Sequence, residues 1–90
     1  MTEALSKDYL AAVRQRCESA TKGIWISSVE GRDHPLGGET LIIRENNGQR
    51  EEDLYLFGGT VADYDFVANA KQDIPLLLDE IERLLKLLAE

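Results

Sequence analysis

Apolar residues recur at spacings of three and four near the start of the chain: Leu5, Tyr9, Ala12, Val13, Cys17 and Ala20. On a 3.6-residue helix they share one face, so residues 5 to 20 are predicted helical, with Arg14, Arg16 and Glu18 off the stripe. Thr2 or Ser6 is placed to cap the first turn, and Gly23 to end the helix in a left-handed conformation. The period then changes. Residues 24–29, 40–45 and 54–57 are rich in β-branched and aromatic types and read as three strands. Gly31, Pro35, Gly37 and Gly38 mark a loop after the first. Asn46-Asn47-Gly48 lies between the second and third, and Asn-Gly favours a tight hairpin because both residues accept positive φ. Gln49 to Asp53 either extends that hairpin or bulges from it.

Gly58-Gly59 breaks the third strand, and Thr60 with Asp63 forms a helix-start signature. The helix that follows carries Val61, Phe66, Val67 and Ala70 and is expected to end near Gln72. Asp73 is then placed to cap a further helix, with Pro75 tolerated in its first turn. There, Ile74, Leu77, Leu78, Ile81, Leu84, Leu85 and Leu88 follow the amphipathic rule without a miss. Leu76 and Leu87 widen the stripe. Asp79 with Arg83 and Glu82 with Lys86 are predicted i, i+4 ion pairs on the opposite face. The expected fold is α+β: an N-terminal helix, a three-stranded antiparallel meander, a short helix and a long leucine-rich C-terminal helix. Residues 1–90 form a single domain.

Ninety residues make a marginal core. Disulfides are excluded because Cys17 is the single cysteine, and a structural zinc is disfavoured because His34 is the single histidine. The last helix spans about 25 Å, and a three-stranded sheet is too small to cover its aliphatic residues. The stripe from Ile74 to Leu88 is therefore the expected homo-oligomer face.

The charge balance narrows the partners. Seventeen acidic residues against ten basic give a net charge of −7. That repels phosphate backbones and anionic membranes, so direct DNA, RNA or membrane binding is not expected. The start lacks the basic and apolar segments of a signal peptide. No apolar run reaches the roughly 18 residues of a membrane span. A soluble cytoplasmic protein is expected.

No catalytic, cofactor or metal motif stands out. His34 beside Asp33 resembles a general base and its carboxylate, but no activated nucleophile accompanies it. Gly58-Gly59-Thr60 lacks the lysine and spacing of a phosphate loop. Asp63, Asp65 and Asp73 lack a calcium-loop pattern and suit helix starts. The remaining material is aromatic and cationic. Trp25, Tyr55, Tyr64 and Phe66 can stack on a base, although Trp25 and Phe66 also fit core packing. Arg14, Arg32, Arg44, Arg50 and Lys71 can meet phosphates. The expected ligand-binding set is Arg14, Trp25, Arg44, Tyr64 and Lys71, with Tyr64 on the binding surface.

Two stretches carry a family resemblance. One is Arg16-Cys17-Glu18-Ser19-Ala20-Thr21-Lys22-Gly23-Ile24-Trp25. The other runs from Phe66-Val67-Ala68-Asn69-Ala70 through Asp73-Ile74-Pro75-Leu76-Leu77 to Leu84. Together they resemble the small phage and prophage proteins called ead-like, which pair an Ala-Thr-Pro-Gly-Pro-Trp-like segment with a phenylalanine-led helix and Asp-x-Pro. Lys22 and Ile24 stand where that pattern has prolines, and the middle of the chain does not match. The resemblance implies a phage accessory protein acting in the bacterial host cytoplasm. Joined to the small size, the expected oligomer and the aromatic and arginine residues, it points to an anti-defence role, as a non-catalytic oligomer that sequesters a nucleotide-type immune signal. The alternative is an acidic interaction module that binds and inhibits a host protein, by nucleic-acid mimicry in one version.

Overall fold

The computed structural model describes residues 5–89. The elements are α1 (Lys7–Ser19), β1 (Ile24–Ser28), β2 (Leu41–Asn46), β3 (Gln49–Arg50) and α2 (Val61–Ala89). The mix is α+β: a helix, a three-stranded antiparallel sheet and a long C-terminal helix.

Helix α1 starts where its cap is expected, with the Ser6 hydroxyl accepting the Tyr9 N–H at 3.0 Å. Thr2, the other candidate cap, lies outside the described residues. Asp8 in the first turn and Arg16 in the last suit the helix dipole. The helix ends at Ala20, which turns extended while its N–H still reaches Arg16 O. Gly23 is therefore not the cap that its spacing suggests. It has a φ of +101°, and a Cβ there would stand 2.1 Å from the Glu45 carbonyl oxygen. Glycine occupies this position because the backbone of β2 passes against it.

β1 pairs antiparallel with β2, from Ile24 opposite Glu45 to Ser28 opposite Leu41. β2 pairs with β3 through Glu45–Arg50 and Asn46–Gln49. The turn between them is Asn47 (φ 53°) and Gly48 (φ 80°), the positive-φ pair that the dipeptide predicts. Residues 49 and 50 thus extend the hairpin. The strand expected at 54–57 is reduced to one bridge, in which Leu54 and Ile42 exchange hydrogen bonds of 2.8 and 2.9 Å. The chain then leaves the sheet. The Leu56 N–H donates to the Tyr64 hydroxyl at 2.9 Å, and Gly59 closes a turn onto Leu56 O.

The two C-terminal helices expected from sequence are one helix of 29 residues, about 43 Å long. Thr60 and Asp63 cap it reciprocally, each side chain accepting the other's backbone N–H at 2.9 and 3.1 Å. Pro75 lies inside it. It has no N–H to give to Lys71 O, which ordinarily breaks a helix. Here burial on both sides, at Ala68 (1% exposed) and Leu78 (4%), offsets the lost bond. Asp73, the expected cap, is an exposed mid-helix residue.

α2 packs on one face of the sheet. The core is Ile42, Tyr64 and Ala68, with Trp25, Leu54, Leu56 and Val67 partly buried around it. The Arg32 guanidinium ties the loop after β1 to α2 by two bonds to Asp65, at 2.9 and 3.0 Å. This holds the Asp65 carboxyl down at about 2, with the Ser27 hydroxyl assisting. α1 lies antiparallel along α2, its Cys17–Ala20 end beside Val67 and Lys71 and its Leu10 end beside Leu85. The sheet and α1 thus share the length of α2. The result is an elongated body of 55 × 34 × 19 Å. Among the described residues no helix is long and apolar enough to cross a membrane.

Candidate functional site

The five residues expected to bind a ligand do not form one cluster. Trp25, Arg44 and Lys71 come together. The Arg44 guanidinium stands 5.6 Å, and the Lys71 ammonium 5.7 Å, from the centre of the Trp25 ring. Both lie in the range where a cation is attracted by an indole face. Register explains the first contact, since Trp25 is directly opposite Arg44 across the β1–β2 pair. Lys71 reaches the ring from α2.

Arg14 is elsewhere. Its guanidinium bonds Asp79 and Glu82 of α2, both at 2.9 Å. Those carboxylates raise it further above the ordinary arginine value, Glu82 first and Asp79 second. Both acids are therefore taken from the helix-internal pairs expected with Arg83 and Lys86, and Arg83 pairs with Glu80 instead. Tyr64, expected on a binding surface, is 6% exposed and belongs to the core. Phe66, expected to pack inward, is 74% exposed. The phosphate-binding candidates Arg32 and Arg50 are paired with Asp33 and Asp65, and with Asp53.

His34 is not arranged as a base. Its two ring nitrogens face the Pro35 and Glu39 carbonyl oxygens at 3.2 and 2.9 Å. Asp33 turns away from it to bond Arg32 and accept the Val29 N–H, and these, Arg32 first, lower the Asp33 carboxyl. Gly58-Gly59-Thr60 forms the turn that leads into α2.

A groove opens beside Trp25, between α1 and α2. Its volume is about 400 Å³, within the range of small-molecule sites. Val13, Cys17, Ala20, Val67, Ala70 and Ile74 form its apolar wall, Tyr9 and Trp25 its aromatic part, and Arg16 and Lys71 its charge. Among the described residues no carboxylate lines it. Arg16 has no ion-pair partner among the described residues. Lys71 gives one N–H to Gly23 O at 3.1 Å and has two further donors. Arg44 stands outside the groove, bonded to Thr21 Oγ1 and Glu52 O at 2.8 and 2.9 Å. Arg16, expected off the helical stripe, lines this groove. The spacing Tyr9, Val13, Arg16, Ala20 carries the signal, because it sets Arg16 on the same side as the groove-lining residues.

The leucine stripe of α2 divides between inside and outside. Leu78 is buried in this subunit, and Leu85 lines the cleft against α1. Ile74 lines the groove and Ile81 is half-buried. Leu77, Leu84 and Leu88 remain 61%, 45% and 83% exposed, and Phe66 joins them on the same side of the helix.

Comparison with protein-family models, with curated proteins and with solved structures finds no match.

Proposed function

We propose that this protein is a non-catalytic binder that takes an anionic aromatic small molecule, of nucleotide type, into the groove beside Trp25. The observation that carries this reading is the groove's charge. On a chain of net charge −7, it gathers Arg16, Lys71 and two aromatic rings and, among the described residues, no carboxylate. A base or its sugar meets the apolar wall and the Trp25 ring, and stacking of this kind contributes about 1–3 kcal/mol per base. A phosphate meets the two cations. With the resemblance to phage accessory proteins, the ligand is a nucleotide-type immune signal. The protein then acts by sequestering that signal in the host cytoplasm, as a homo-oligomer joined through the exposed side of α2.

Trp25 is the chain's one tryptophan, so its fluorescence reports directly on the groove. Titration with a cyclic dinucleotide, a cyclic ADP-ribose and AMP is expected to change that emission for at least one. Arg16→Glu and Lys71→Glu should each weaken binding at least tenfold. Arg50→Glu, remote and paired with Asp53, should leave it unchanged. No binding by any of the three sinks the reading.

A second reading rests on Phe66, Leu77, Leu84 and Leu88. An exposed apolar helix side flanked by acids can enter a groove of a host protein and inhibit it. A pull-down from bacterial lysate separates the two, because sequestering a nucleotide needs no stoichiometric protein partner.

A further inference from the structure

β1 and β2 carry apolar residues on both faces, with Glu45 opposite Ile24 and Ser28 opposite Leu41 at the two ends of the outer one. Ile24-Trp25-Ile26 and Leu41-Ile42-Ile43 are continuous hydrophobic runs. Such runs characterise strands covered on both sides, whereas a sheet with one wet face alternates apolar and polar residues. α2 covers one face, the one carrying Trp25 and Ile42. The opposite face carries Ile24 and Ile26, 58% and 45% exposed, and Ile43 directly opposite Ile26. Beside them Tyr55 is 54% exposed.

We infer that this outer sheet face is a second self-association surface, closed in the native particle by the same face of another copy of the chain. Three observations select a copy of the chain over any other occupant. First, the buried hydrophobic residues among those described are Val29, Ile42, Tyr64, Ala68 and Leu78, few for a domain that must hold itself together. The cover therefore belongs to the folded state itself, and another copy is the one partner present wherever the chain is made. Second, the accessible surface is 6951 Å², against about 5,300 Å² for a compact protein of this mass. The radius of gyration is 16.5 Å, against about 12 Å. Third, a standard interface takes about 800 Å² from each partner. The excess surface is about twice that, enough for the sheet face and the exposed side of α2 together. The two patches lie on different sides of the molecule, so one contact does not bury both. Closure of both gives a particle larger than a dimer. The inference holds whether or not the groove takes a nucleotide.

Particle mass by sedimentation and native mass spectrometry tests it. The unaltered chain is expected to be larger than a dimer. Ile26→Lys should cut the mass at least twofold with the circular dichroism of the folded chain retained, and Ile26→Val should leave it intact. An unaltered monomer, or a folded Ile26→Lys particle of unchanged mass, overturns the inference. If Ile26→Lys does not fold, labelling decides. In a Cys17→Ala background, maleimide should modify Ile26→Cys at least tenfold more slowly than Glu51→Cys. Equal rates overturn the inference.

Discussion

The side-chain amide of Gln72 pairs with both backbone groups of Trp25. The Trp25 N–H donates to Gln72 Oε1, and Gln72 Nε2 donates to Trp25 O, each at 3.2 Å. Trp25 lies on the edge strand of the sheet, and the helix side chain supplies there what a neighbouring strand's peptide would. The second Nε2 hydrogen goes to Ala68 O at 3.0 Å, which fixes the amide on α2. One residue thereby stops the edge of β1 from recruiting another strand and sets the height of Trp25 beside the groove.

Replacing that amide tests its role. Gln72→Met keeps the length and removes both bonds, leaving two partly buried backbone groups without partners. The expected loss is about 1–3 kcal/mol, read as a lower urea midpoint. Gln72→Glu should cost more, because a carboxylate then faces the Trp25 carbonyl oxygen. A loss below a few tenths of a kcal/mol in both variants would mean that water replaces the amide freely.

Gly23→Ala should be among the most damaging small substitutions. The added methyl would sit 2.1 Å from Glu45 O at a φ of +101°. Both the clash and the strained φ oppose it, and a destabilisation above about 2 kcal/mol is expected. Gly48→Ala, whose Cβ would meet no atom within 4 Å, should carry the conformational penalty alone. Thermal melts of the two variants compare them directly, and equal midpoints would refute the packing argument.

The Arg32–Asp65 pair predicts a pH dependence. The folded-state carboxyl of Asp65 is lowered to about 2, below its unfolded value near 3.9. Such a group contributes stability that is fully present above the unfolded value. That stability is lost as pH falls through the folded one. Thermal midpoints of the unaltered chain should therefore drop between pH 4 and pH 2. Asp65→Asn should flatten part of that drop and lower the midpoint at pH 7. An unchanged acid slope would show that the pair is worth nothing in solution.

Leu84→Glu together with Leu88→Glu places two charges on the exposed side of α2. In a single chain both positions are open to solvent, at 45% and 83%, so the fold should survive. Particle mass should fall, and combination with Ile26→Lys should give a monomer. An unchanged mass for the helix double variant would remove α2 from the assembly.

Local features of the sequence settle α1, its Ser6 cap, the Asn47–Gly48 turn, the Thr60–Asp63 cap and the periodicity of α2. Each depends on residues within about one or two turns, where backbone sterics and side-chain reach act directly. Tertiary contacts decide the rest. The joint at Asp73-x-Pro75 reads locally as a helix start. It becomes helix interior because Ala68 and Leu78 are both buried, which no window around Pro75 reveals. Asp79 and Glu82 each have a basic residue one turn away in sequence, but Arg14, 65 and 68 positions distant, takes both. Tyr64 goes inside because its hydroxyl meets Leu56, and Phe66, two residues on, points the other way. The groove follows the same logic. The types of Trp25, Lys71 and Arg16 were legible from the start. Their meeting required α1 to fold back along α2, and spacing along one element carries no information about which other element it will lie against.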